Sequence, residues 1–139
     1  SAQADLSATS YEQALIDIAA WTDHRGKKVR MRPSKLIVPT ELIWTADKLF
    51  NSALDPDSAN NAINPAAKRK LQVIENPYLT DKDQWNITCE GNGLVFFWRR
   101  RPRRGRDNDF NTANLRYKLD MRFSHGWRHP YGCYISTGA

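Results

Sequence analysis

The sequence predicts an α+β domain, a mostly antiparallel sheet with two main helices packed on it. Apolar residues recur at helical spacing in two windows, 11–23 and 41–53, while the second half holds short apolar or alternating runs of strand length. The two patterns alternate too irregularly for repeated βαβ units, which argues against a doubly wound parallel sheet. A chain of 139 residues with 40% apolar content suffices for a single domain, one that buries about two-thirds of its unfolded surface.

Ser10, with Gln13 three positions on, reads as a capping box, and Tyr11, Ala14, Leu15, Ile18, Ala19 and Thr22 then share a helix face that ends before Gly26. Lys27 to Pro33 is polar and basic. Leu36, Ile37 and Val38 form a short apolar run stopped by Pro39, the pattern of a buried strand entering a turn. Thr40 is positioned to cap the second helix, where Leu42, Ile43, Ala46, Leu49, Phe50 and Ala53 repeat at three and four. Asp55 to Ala67 is rich in Asp, Asn, Ser, Pro and Ala without periodicity and reads as a long exposed loop.

Strands are expected at Leu71–Glu75, Trp85–Glu90, Leu94–Trp98 and Tyr131–Ser136, with a turn at Asn76-Pro77 and an Asn92-Gly93 hairpin joining the second to the third. Between Leu115 and Phe123, Leu115, Tyr117, Leu119, Met121 and Phe123 alternate with Arg116, Lys118, Asp120 and Arg122, so one face is apolar and the other charged. The expected core comprises Leu15, Ile18, Ile37, Leu42, Ala46, Leu49, Val73 and Ile87.

The most unusual stretch is Trp98-Arg-Arg-Arg-Pro-Arg-Arg-Gly-Arg106. Lys and Arg total 21 against 15 Asp and Glu, and without Arg99, Arg100, Arg101, Arg103, Arg104 and Arg106 the balance is 15 against 15. The whole excess of +6 sits in one segment. Pro102 and Gly105 interrupt it, which suggests a bent, exposed connection between two strands. Nucleic-acid binders usually spread basic residues over several elements that converge in space, whereas here the charge is local. A basic arm can still bind polyanions by counterion release, so a protein-facing contact is favoured and a nucleic-acid contact kept as the alternative.

Catalytic and cofactor chemistry find little support. There is no Gly-rich phosphate loop, nucleophile elbow or His-Glu-x-x-His helix. His125, His129 and Cys133, with Cys89 as a fourth group, have ligand-type side chains, but Gly126, Pro130 and Gly132 oppose a shared helix face, and strand spacing separates the histidines by about 13 Å. The expectation is no metal, no cofactor and no small-molecule substrate. Asp81 with Asp83, and Asp107 with Asp109, more simply serve turns and neighbouring cations. Trp98 and Trp127 are the tryptophans best placed for base stacking. No apolar run approaches the roughly 20 residues of a membrane span, Ser1 to Ser10 lacks the character of a signal peptide, and two cysteines suit a reducing compartment. The Asn86-Ile87-Thr88 triplet then matches a glycosylation site by chance.

Several stretches, in order, carry a family resemblance. Arg32-Pro33-Ser34-Lys35-Leu36-Ile37-Val38-Pro39 before a helix, then Asn64-Pro65, Leu71 to Asp81 with Trp85, Asp107-Asn108-Asp109-Phe110, the Leu115 to Phe123 strand and Gly126-Trp127-Arg128 to the end resemble the major capsid proteins of tailed bacteriophages. The likeness is greatest to the Mu-type major head subunit with the Hong Kong 97-like fold. It implies a structural, non-enzymatic protein of the virion, assembled in the bacterial host cytoplasm, whose partners are copies of itself in pentamers and hexamers of an icosahedral shell around double-stranded DNA, with no membrane partner. Members of the family are longer, and begin with an arm, an extended loop and a spine helix. Residues 1–139 then correspond to a C-terminal portion, a single axial-domain-like body in which about residues 110–139 return toward a peripheral domain.

Overall fold

The structure is a computed structural model that describes residues 4–54 and 63–138. In chain order the elements are α1 (Ala8–Ala20), β1 (Arg32–Val38), α2 (Ile43–Asn51), α3 (Pro65–Lys68), β2 (Gln72–Glu75), β3 (Trp85–Glu90), β4 (Leu94–Asn108), β5 (Leu115–Trp127) and β6 (Cys133–Ser136). Contacts group these elements into two compact units, Ser1–Asn92 with Tyr131–Ala139, and Gly93–Pro130.

The first unit is built on a mixed sheet of order β2-β1-β3-β6. β1 runs parallel to β2 with Leu36 beside Val73, and antiparallel to β3 with Leu36 beside Ile87. A bulge falls between Pro33 and Lys35. Proline brings no N–H to the ladder, and the hydroxyl of Ser34 donates to the Thr88 carbonyl at 3.0 Å instead. Strand alternation then sorts the side chains. Leu36, Val38, Trp85, Ile87 and Cys89 are buried on one face and join Tyr11, Ala14 and Ile18 of α1 and Ala46 and Phe50 of α2 in one core. Tyr11 and Phe50 meet edge to face, with centroids 5.1 Å apart. Of the expected core, Ile18, Ala46 and Ile87 are buried and Leu15, Leu42, Leu49 and Val73 are half-buried against it. Ile37 is also only half-buried, because one step along β1 turns it to the face opposite Leu36 and Val38.

The α+β expectation holds, with local corrections. The first helix starts earlier than its Ser10 signal, because Ser7 is the N-cap and Ser10 its N3 partner: Ser10 N–H donates to Ser7 Oγ at 3.2 Å, and Ser7 N–H to Ser10 Oγ at 2.8 Å. It ends at Ala20, since Trp21 and Thr22 pair with Lys28 and Val29 across a turn at Gly26. Thr40 opens a 3-10 turn and makes no capping bond. Within the expected 55–67 loop, residues 55–62 lie outside those described, while Pro65–Lys68 forms α3. Asn-Pro at the N-cap and first helical position was its signal. The Asn92-Gly93 hairpin is not made: β3 pairs with β1 and β6, and β4 with β5.

Two polar anchors tie this unit together. Buried Asn64 donates through Nδ2 to the carbonyls of Leu49 (2.8 Å) and Ser52 (3.1 Å), while its Oδ1 accepts from Ala66 N–H, so one amide closes α2 and opens α3. At the other end, Trp85 Nε1–H and the Ser136 hydroxyl both donate to the Ala4 carbonyl at 2.9 Å, which fastens the N-terminal segment to β3 and β6. Gly132, at a φ of 109°, lies where a Cβ would meet Asn92 Cα at 2.6 Å, so only glycine enters β6 this way.

Asn64→Ala should cost about 1–3 kcal/mol of stability in urea unfolding, because it strands two half-buried carbonyls and a helix-opening N–H. The Tyr11 hydroxyl donates to the Arg69 carbonyl at 2.7 Å, and burial pushes its phenol up to about 12. The folded state therefore keeps this proton after the unfolded chain has released it. Stability should fall as pH rises through the ordinary tyrosine range toward that value, and Tyr11→Phe should remove part of the slope in alkaline unfolding followed by circular dichroism.

Candidate interaction surface

The second unit is an antiparallel two-stranded ribbon. β4 is 15 residues long and β5 is 13, in register from Leu94 beside Trp127 to Asn108 beside Leu115. At its base Arg128 N–H donates to the Gly93 carbonyl at 2.8 Å, and a Cβ on Gly93 would strike the His129 backbone. At its tip Asp109 accepts from Ala113 N–H through its carbonyl and from Asn111 N–H through its carboxylate, with Ala113 at a φ of 54° and Phe110 fully exposed.

The arginine run is therefore the middle of a strand, which corrects the expected loop. Arg99, Arg100, Arg101, Arg103, Arg104 and Arg106 are all exposed, as anticipated, but they lie on a ladder. Register shifts between Trp98 and Arg100 and between Arg100 and Arg103 absorb the extra residues, Pro102 among them. A ribbon tolerates this because bulges take up a residue that cannot donate.

These bulges decide which side chain faces where. Opposed residues share a face, so Leu94, Phe96 and Trp98 stand with Trp127, His125, Phe123, Met121, Leu119, Tyr117 and Leu115, joined beyond the bulges by Arg104 and Arg106. Phe96 stacks on Phe123 at 5.0 Å, and Trp98 meets both edge-on. The opposite face holds Arg100, Arg103, Asp107, Arg116, Lys118, Asp120 and Arg122. Without the first shift, Arg100 would lie among the aromatics. With it, Arg100 (2.7 Å) and Arg103 (3.3 Å) both reach the Asp120 carboxylate, relieving the direct opposition of Arg100 and Arg122. The Arg100 hydrogen bond, with that of Arg103, holds the Asp120 carboxyl below the usual carboxylate range. Arg116 pairs with Asp109 near the tip.

The ribbon is strongly cationic. Residues 93–130 carry ten Lys or Arg against three Asp, a net of +7, while the rest of the chain has eleven basic against twelve acidic residues, a net of −1.

The phage capsid protein family matches residues 1–136. The chain belongs to that family. No curated protein matches it. This capsid protein is thus of a structural, non-enzymatic kind, a component of the virion whose family membership points to a multimeric shell.

The other groups singled out in the sequence are scattered over the capsid protein's two units. His125 stands beside Phe96 on the ribbon, His129 is half-buried at its base, and Cys133 and Cys89 lie on adjacent strands of the first unit. Burial, and secondarily the neighbouring Cys133, pushes the Cys89 thiol up to about 11. Among the described residues no group of three or more His, Cys, Asp or Glu could hold a metal ion. Asp81 serves a turn, accepting from Asp83 N–H, and Asp107 faces Arg116 across the ribbon. No helix among the described residues is long and apolar enough to cross a membrane. The sequence reasoning missed the Asp120 bridge and the pairing of Phe96 and Trp98 with Phe123. Aligning the apolar run 94–98 against the alternating 115–123 segment was the available signal.

Because Asp120 ionises more readily in the folded ribbon, its contribution is present above the ordinary carboxylate range and is lost as pH falls through its lowered pKa. Protection of the β4 and β5 amides, taken relative to their intrinsic exchange at each pH, should fall on acidification, and Asp120→Asn should show the acid-side protection at neutral pH.

Proposed function

We propose that this capsid protein is a shell subunit of the Mu major-head type with a Hong Kong 97-like fold, and that the ribbon is where copies meet. In this reading the first unit serves as the axial-domain-like body, and pentamers and hexamers close an icosahedral shell around double-stranded DNA in the host cytoplasm. The observation that carries it is the family match over nearly the whole chain, together with a long exposed ribbon that no enzyme chemistry explains.

Arg99, Arg100, Arg101, Arg103, Arg104 and Arg106 then act at the contact between subunits. Exposed cations contribute little raw affinity, but they speed encounter and penalise misaligned partners, and a shell built from many identical contacts depends on both. The alternative partner for the same arginines is the phosphate backbone of packaged DNA.

Salt dependence separates the two. As an assembly contact, Arg99→Ala and Arg101→Ala should impair particle formation in the protein as encoded, while binding to duplex DNA stays weak. If the arginines grip phosphates instead, each substitution should lower affinity for DNA of any sequence and reduce the slope of log affinity against log salt by about 0.9.

A further inference from the structure

We infer that the first unit holds a binding site of its own for the phosphate backbone of nucleic acid, formed where two basic segments distant in sequence converge at one end of the sheet. Of the eleven Lys and Arg outside the ribbon, nine lie in residues 25–35 and 68–70, which contain no acidic residue. The remainder of the unit then carries two basic residues against twelve acidic, a net of −10. A nearly neutral unit is thus strongly polarised.

The fold brings the two segments together. β1 and β2 are parallel with Lys35 beside Gln72, so Arg32 and the run Lys68-Arg69-Lys70 enter the sheet from the same end. Met31, Pro33, Arg69, Lys70 and Leu71 line one groove there. Upstream, Val29 N–H donates to the Trp21 carbonyl at 3.0 Å and Thr22 bridges to Lys28, which closes a tight turn at Gly26. Trp21 and Met31 pack against the core, and the Tyr131 hydroxyl donates to the Thr22 carbonyl at 3.0 Å. Arg25, Lys27, Lys28, Arg30, Arg32 and Lys35 are therefore exposed on an anchored segment, and Lys68, Arg69 and Lys70 are exposed beside it. Anchoring lowers the ordering cost of binding. None of the nine forms an ion pair among the described residues, and two acids face them: Glu90 opposite Arg32, and Glu12 in a groove shared with Arg69.

Composition selects the ligand. No large apolar side chain of residues 21–35 or 64–72 is exposed. Contacts between proteins draw their affinity from buried aromatic and apolar anchors, which this site lacks, whereas a phosphate backbone is held by counterion release alone. Basic residues gathered from separate elements are also the footprint of a nucleic-acid binder, a feature that the arginines of β4, confined to one strand, do not share. With no aromatic ring presented for stacking, the site reads no base sequence. Each copy binds weakly, with a Kd of roughly 10⁻⁴–10⁻⁶ M at physiological salt. The contact does not depend on how copies of the chain meet.

The test measures binding of the full chain to labelled duplex DNA by fluorescence anisotropy over a salt series from about 50 to 200 mM. Lys27→Gln with Arg30→Gln, and separately Lys68→Gln with Arg69→Gln, should each lower affinity about tenfold or more for any sequence and reduce the slope of log affinity against log salt by about 1.8. The charge-preserving pair Lys27→Arg with Lys68→Arg should keep the parent slope, and far-ultraviolet circular dichroism of all three should match the parent. Loss of the slope in Arg99→Ala with Arg101→Ala, but in neither glutamine pair, would move the phosphates to the ribbon and overturn the inference. An effect confined to one glutamine pair refutes the convergence of the two segments. Tighter binding to polyglutamate than to DNA at equal salt assigns an acidic protein instead, and no binding at the lowest salt removes the site altogether. The shell reading, tested by particle formation, stands or falls apart from these outcomes.

Discussion

Among the described residues of its own unit the two-stranded ribbon has no second layer, and this constraint shapes its two faces. In the four-stranded sheet the core-facing side chains of β1 and β3 are backed by α1 and α2. Along β4 and β5 the same alternation leaves an apolar row facing outward. Isolated hairpins are marginal in water, so the ribbon depends on cross-strand pairs along its length: the Phe96, Trp98 and Phe123 cluster on one face and the Arg100–Asp120–Arg103 bridge on the other. The bulges reconcile the two faces by moving Arg100 away from the aromatics.

The first unit solves the opposite problem. Its sheet is short, with four-residue edge strands, and its stability rests on a few large buried side chains and on polar groups that close element ends. Trp85 serves both needs, filling the core with its ring and holding Ala4 through its indole N–H. Asn64 and Ser136 are buried polar residues whose hydrogen bonds connect segments distant in sequence. In a member of the phage capsid family, a structural kind of protein, these bonds hold the first unit's elements in fixed geometry.

The helices were legible because periodicity is local: Tyr11, Ala14 and Ile18 mark a face wherever the chain ends up, and so do Ala46 and Phe50. So was the α+β class, from the order of helix-period and strand-period windows, and the capsid resemblance came from motifs that follow one another along the chain. Termini were less clear: the Ser10 signal falls at the third helical position, and the cap is Ser7 one turn earlier.

What the sequence by itself determined was which residues are apolar, which are charged, and the period at which they recur. Only the tertiary structure decided strand partners. Asn92-Gly93 is a strong local hairpin signal, yet β3 pairs with β1 and β6, because partners far along the chain supply longer ladders and a covered face. The arginine run likewise reads as a loop around Pro102 and Gly105 until β5 provides a complementary ladder and bulges absorb the proline. Strand pairing is a long-range choice set by register and burial, and neither is written in any window shorter than the fold.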